Sequence, residues 1–172
     1  MTTYINIFGG PGIGKSTLAA GIFSEMKRQG KSVELVTEFA KDLVWENRQD
    51  TLAVQPYVSM KQFRNLFRLR GKVDYVITDS PLLKDSVYAN KYTPDLPQAY
   101  HDLLGHLHTS LGDHVNIFLT RSHAYDKVGR YQSEDEAIKI DEEIRDTLDR
   151  YSEKYIECPA KFAVVMEVIN GL

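Results

Sequence analysis

The stretch Gly9-Gly10-Pro11-Gly12-Ile13-Gly14-Lys15-Ser16 reads G-x-x-x-x-G-K-[ST], the phosphate-binding loop pattern, and it constrains this 172-residue chain more than any other segment. With glycine at about 7% of average usage, a chance match in a chain of this length is roughly a half to one per cent. The flanks lower that further. Tyr4-Ile5-Asn6-Ile7-Phe8 ahead of the loop is a β-branched and aromatic run suited to a buried strand. Beyond it, Leu18, Ala19, Ile22, Phe23 and Met26 recur at helical spacing between Ser16 and Gln29. Strand, glycine loop and helix in that order is the context in which the pattern binds phosphate.

The chemistry follows from the backbone. Gly9, Gly12 and Gly14 permit conformations that a Cβ forbids, so successive N–H groups converge on an anion at a helix N-terminus, where the dipole also favours negative charge. On this reading Gly10, Gly12, Ile13 and Gly14 line the site for the phosphates of ATP. Lys15 reaches the β and γ phosphates, and the Ser16 hydroxyl holds the Mg²⁺ that bridges them.

A chain of 172 residues suits one domain, expected to span 1–172. The net charge of -3 and pI near 6.0 give no global attraction to nucleic acid or to an anionic membrane. No apolar run is long enough to cross a bilayer. The single cysteine, Cys158, has no internal disulfide partner and is expected to be structural. The chain enters a strand directly, without a charged leader and cleavage site, so a cytoplasmic location is expected.

Short apolar runs without clean alternation predict strands at 4–8, 32–37, 73–78, 115–120 and 162–166, each buried on both faces of a parallel sheet. Helices are predicted at 15–29, 39–48, 57–70, 83–90, 97–111 and 134–155. Asp95-Leu96-Pro97-Gln98 and Ser133-Glu134-Asp135-Glu136 both match a capping arrangement. Repeated strand-helix-strand units imply a doubly wound α/β fold, whose ligands bind at the carboxyl ends of the strands.

The residues that follow each strand are therefore the candidates. Asp79 follows Tyr75-Val76-Ile77-Thr78, an arrangement that holds Mg²⁺, although a helix N-cap explains the same residue. Glu38 follows the second strand, either as a general base for a substrate hydroxyl or as an acid in the first turn of the next helix. After the fourth strand, Arg121 and Arg130 lie in a polar loop that reads either as a lid supplying guanidinium groups to the transferred phosphoryl or as a solvated loop. On the helix at 57–70, Gln62 suits a base edge, and Arg64 or Arg68 a phosphate or carboxylate; surface charge is the alternative. Trp45, Tyr57 and Phe63 are assigned to core packing ahead of base stacking. His106 and His108 lack the spacing of a metal pair, and no zinc site is expected.

Together, the loop Gly9 to Ser16, the Thr37-Glu38 turn, the Val73 to Pro81 segment ending Thr-Asp-Ser-Pro, and the arginine-bearing loop ahead of Asp141-Glu142-Glu143-Ile144 resemble the P-loop nucleoside and nucleotide kinase superfamily. Within it, the chain looks most like small kinase-like ATPases common in bacteriophages and related to the ribosylnicotinamide-kinase type. The resemblance covers nearly the whole chain. It implies a three-layer α/β P-loop NTPase fold with a five-stranded parallel sheet in the order 2-3-1-4-5, Mg-ATP as donor, and a short lid over about 121–133. It also assigns donor-site roles to Gly14, Lys15, Ser16 and Thr17, and the base role to Glu38. Two departures stand out. Asp79-Ser80-Pro81 occupies the place of the Glu-Arg-Ser or Asp-Arg-Tyr-like forms of deoxynucleoside and thymidylate kinases, so their arginine is missing there. The sequence also ends at Leu172, soon after its last predicted strand, which implies a minimal adenine pocket.

The expected activity is phosphoryl transfer from ATP to a nucleoside or nucleoside monophosphate, in the cytoplasm, or the host cytoplasm if the chain is phage-encoded. Two alternatives remain. One is a kinase for a hydroxyl within DNA, on a hydroxymethyl base or a polynucleotide 5′ end, which the basic helix favours and the net charge opposes. The other is an ATP-hydrolysing switch or assembly factor.

Overall fold

A computed structural model of the chain describes residues 1–121 and 133–171. Its strands are β1 (Thr3–Phe8), β2 (Val33–Val36), β3 (Tyr75–Thr78), β4 (Asp113–Thr120) and β5 (Tyr155–Pro159). All pair in parallel, in the order β2-β3-β1-β4-β5 that the resemblance implied. Ile5 sits between Ile77 of β3 and Val115 of β4, which makes β1 the central strand. Parallel neighbours need long crossovers. Among the described residues these carry α1 (Lys15–Arg28), α2 (Phe39–Trp45), α3 (Gln49–Leu52), α4 (Gln55–Phe67), α5 (Lys84–Tyr92), α6 (Gln98–Leu111) and α7 (Glu134–Arg150), and α8 (Phe162–Asn170) follows β5.

Successive side chains of a strand point to opposite faces, and β1 uses both. Ile5 and Ile7 pack with Ile22 and Met26 of α1 and Val165 and Ile169 of α8. Tyr4 packs with Leu66 of α4 and Leu104 of α6, while Phe8 meets Val87 of α5 and Ile144 of α7. Helix, sheet and helix form three layers. Each fully buried aliphatic side chain contributes about 1.5–3 kcal/mol, so the two cores flanking β1 fix the strand ends that carry the site.

Three expectations need correction. The fifth strand is Tyr155–Pro159, paired with Asn116–Thr120, and the run predicted as a strand at 162–166 lies instead in α8. Val165, Met166 and Ile169 recur at helical spacing, and a short apolar run cannot by periodicity alone separate a buried helix from a strand. The helix predicted to reach 155 stops at Arg150, where the positive φ of 54° at Ser152 turns the chain into β5. Asp95 caps nothing: α6 begins after Pro97 without a side-chain cap, and the Gln98 amide donates to Asp102 instead. The second capping box does form, with Ser133 Oγ accepting from Glu136 N and the Glu136 carboxylate from Ser133 N. No helix among the described residues is long and apolar enough to cross a membrane.

Candidate active site

The sheet brings the residues after four strands to one edge. Gly9 follows β1, Thr37 and Glu38 follow β2, Asp79 follows β3, and Arg121 follows β4. In the loop, Gly9, Gly12 and Gly14 take φ of 135°, 83° and 93°, the left-handed region that a side chain resists, and Gly14 is the N-cap residue of α1. Ile13 is buried and anchors the loop to the core beneath, whereas Ser16 and Thr17 are exposed on the first turn of α1.

Gly10 needs space rather than an unusual φ. A Cβ there would lie 2.7 Å from Ala137 O, 2.8 Å from Asp141 Oδ1 and 2.9 Å from Arg121 Nη2. The Gly10 N–H donates to Asp141 Oδ1 at 2.5 Å, and Arg121 Nε donates to Asp141 Oδ2 at 2.7 Å. Arg121 also donates to Pro11 O at 3.0 Å and to Ala137 O at 3.1 Å. Asp141 and Arg121 thus clamp the shoulder of the loop to α7 and the end of β4. Arg130, the other arginine of the expected lid, lies outside the described residues, as does most of that segment.

Lys15 Nζ donates to Gly10 O at 2.7 Å. Burial and the ammonium of Lys84 pull its pKa below the usual lysine range, against the opposing carboxylates of Glu38, Asp79 and Asp141. Lys84, Glu38, Asp79 and Asp141 therefore all act on the Lys15 ammonium. Asp79 is 3% exposed; its Oδ2 accepts from Ser16 Oγ at 2.5 Å, and its Oδ1 has no hydrogen-bond partner. It does not cap α5, which starts at Lys84 with Leu83 as N-cap. A hydroxyl and a buried, half-satisfied carboxylate side by side at the loop are the oxygen donors that Mg²⁺ takes, so the residues present fit that ion.

Glu38 is the N-cap residue of α2, yet its side chain makes no capping bond. Its Oε1 instead accepts from Lys84 Nζ at 2.9 Å, with Lys84 2% and Glu38 29% exposed. Burial would raise the Glu38 pKa, but the charge and hydrogen bond of Lys84, with Lys15 and Lys41 beyond, hold it below the ordinary value. Burial likewise opposes the charge on Lys84, but Glu38, Tyr88 and Asp85 together raise the Lys84 pKa, Glu38 contributing most. Next along α5, Asp85 is 7% exposed, takes a hydrogen bond from Ser59, and leaves Oδ2 without a partner.

Sequence reasoning missed Lys84, Asp85 and the clamp role of Asp141. For the first two a signal existed: adjacent opposite charges within Leu82-Leu83-Lys84-Asp85-Ser86-Val87, an otherwise apolar turn just beyond the site-bearing end of β3. Gln62 lies 1% exposed, and both ends of its amide are engaged, Oε1 by Phe39 N at 3.1 Å and Nε2 by Ser80 O at 3.0 Å. It caps α2 and ties that helix to the Asp79 turn. Arg64 is exposed on α4 and Arg68 at its C-cap, where Arg68 Nε donates to Asn65 O. Of the three aromatics assigned to the core, Phe63 packs there, but Trp45 is 74% and Tyr57 39% exposed. Cys158 is buried, and no cluster of metal-ligating side chains occurs among the described residues.

An AAA domain family model matches residues 4–163. The chain belongs to this AAA domain family. Its AAA domain is similar in structure to the NadR protein in complex with NR, with a TM-score of 0.67 at 12% identity. That match covers 99% of this chain and 51% of NadR, so the chain spans about half the length of that protein. It is also similar to the deoxyadenosine kinase from M. mycoides. With the products dCMP and a flexible dCDP bound, that structure matches at a TM-score of 0.62 and 17% identity, covering 98% of this chain and all of the other. With dATP bound, it matches at 0.63 and 19%, covering 96% and 98%. At these identities the likenesses establish the fold alone, a three-layer α/β fold around a five-stranded parallel sheet. No curated protein matches the AAA domain significantly by sequence.

Proposed function

We propose that the chain is an ATP-dependent kinase that phosphorylates a hydroxyl of a nucleoside. The observation that carries this reading is the placement of Glu38: a carboxylate held ionised at the same sheet edge as Lys15, with one oxygen on Lys84 and no other hydrogen bond among the described residues. An acceptor that is already a phosphate needs cations to receive it, whereas a hydroxyl needs a base. Glu38 suits the second. The kinases that share this fold add support, since the M. mycoides enzyme is described with nucleotide products bound.

In the mechanism, the N–H groups of Gly12 and Gly14 and the ammonium of Lys15 hold the β and γ phosphates and stabilise charge on the equatorial oxygens. Ser16 Oγ and Asp79 would hold Mg²⁺, which when bound neutralises the same phosphates and helps align them. The acceptor hydroxyl, positioned by Glu38, attacks the γ phosphorus in line. The bond from that phosphorus to the β,γ-bridging oxygen breaks, ADP departs with the electron pair, and the hydroxyl proton passes to Glu38. Asp141 and Arg121 act at a distance, by fixing the shoulder of the loop.

The test is transfer of labelled γ-phosphate from ATP to panels of nucleosides, nucleoside monophosphates and DNA ends, with Lys15→Ala as control. The reading predicts a labelled nucleoside monophosphate and loss of transfer in the variant. Labelled DNA that disappears at high salt would favour the DNA-hydroxyl alternative, with the exposed Arg64 and Arg68 as its contacts. ATP hydrolysis without any acceptor would favour a switch.

A further inference from the structure

We propose that Lys84 is the positioning residue of the acceptor base: from beneath the site its ammonium fixes one oxygen of Glu38 and leaves the other free for the acceptor hydroxyl. This rests on the kinase reading and extends it to a residue that neither the phosphate-loop pattern nor the strand-end rule singles out. Three observations support it. The Lys84 side chain is 2% exposed, and its Nζ meets Glu38 Oε1 at 2.9 Å. The same ammonium lies 5.2 Å above the Tyr88 ring, a second contact that restricts the side chain to this direction. An ion pair whose ammonium is buried in this way is also a poor device for stability, because desolvation of the Lys84 charge opposes its attraction and an apolar side chain there usually serves the fold as well. The partner it holds is the proposed base.

The charged and titratable groups acting on Glu38 come from three helices: Lys84, Asp85 and Tyr88 on α5, Lys15 on α1, and Lys41 on α2. Lys84 contributes the largest attraction and opposes the rise that burial would produce. Without it, Glu38 would take up a proton at higher pH than it now does and, below that raised midpoint, could not accept one from substrate.

The experiment follows the Glu38 carboxyl carbon by NMR titration in the full chain, for wild type, Lys84→Met and Lys84→Arg, alongside the pH dependence of kcat/KM. The proposal predicts a wild-type midpoint below 4.5 and, in Lys84→Met, a rise of about 1 to 3 pH units, the range an adjacent opposite charge commands. The acid limb of the rate profile should move with it, and Lys84→Arg should restore both. An unmoved midpoint and acid limb, with only a lowered melting temperature, would overturn the proposal. Should Lys84→Met fail to fold, Lys84→Gln takes its place, since it keeps most of the stem and removes only the charge. A wild-type midpoint at or above 4.5 overturns the proposal without any variant. If the wild type transfers phosphate to no acceptor, the kinase reading fails, and the NMR titration still decides whether Lys84 governs Glu38.

Discussion

Asp85 and Glu38 both interact with Lys84, and their pKa values shift in opposite senses. Burial, with the charge of Glu38 added, pushes the Asp85 carboxyl up to about 7 against the pull of Lys84. Its folded midpoint thus lies above the unfolded value of 3.8, so the folded state binds more protons between the two. The stability from the neutral carboxyl is complete below about pH 4 and declines as pH rises to about 7. Glu38 does the reverse: its contribution is complete above 4.5 and is lost as pH falls through its lower folded midpoint. Replacing Asp85 by Asn should therefore flatten the dependence of melting temperature on pH between 4 and 7, read from thermal unfolding across that range. Parallel wild-type and variant curves would contradict the assignment. Gly10 offers a steric test. A methyl group there meets Ala137 O, Asp141 and Arg121 within 3 Å, so Gly10→Ala should cost about 1–3 kcal/mol of stability and weaken ATP binding, measured by urea unfolding and nucleotide titration. The pattern leaves this position unrestricted. Its need for glycine comes from the approach of α7, a contact between residues 131 positions apart that no local pattern carries.

Among the elements, β5 and α8 show where local reading fails. Tyr155–Pro159 has exposed positions and ends in proline, as an edge strand does, while Phe162–Asn170 is almost wholly apolar because α8 packs against α1 and the sheet. The more apolar segment read as the strand. By contrast, β1 and α1 were legible because a specific loop joins them, and the Ser133 cap because two side chains three residues apart complete each other locally. The α6 to α7 contact was invisible to sequence reasoning. Gly105 lets the Tyr151 ring lie so close that a Cβ would sit 2.5 Å from Cε1, and Tyr151 Oη donates to His101 O at 2.6 Å. Gly105→Ala gains helix propensity, worth about 0.8–1 kcal/mol on its own, yet must displace the ring. A net loss of about 1–3 kcal/mol is expected, with the melting temperature as readout; a gain in stability would mean that the ring moves aside freely.

On the scale of the whole molecule, the strand order follows from the resemblance, and the order in turn sets the site. Placing β1 between β3 and β4, with β2 beyond β3, carries Lys15, Ser16, Glu38, Asp79 and Arg121 to one edge from distant parts of the chain. The proposed donor half was legible as a loop because a phosphate-loop pattern is a contiguous string whose spacing encodes its shape. The proposed acceptor half was only partly legible, because Lys84 and Asp85 are brought to Glu38 by the packing of α4 against both α2 and α5, and because Gln62, which reads as a ligand contact, spends its amide on Phe39 and the Asp79 turn. The central claim is that Glu38 receives the proton of an acceptor hydroxyl in front of Lys15. Its most direct test is single-turnover transfer from γ-labelled ATP to the best nucleoside acceptor by wild type and Glu38→Gln, with ATP affinity measured in parallel. Loss of the base should slow transfer by about 100- to 10,000-fold while ATP binding is retained; an unchanged rate of transfer in Glu38→Gln would contradict the account.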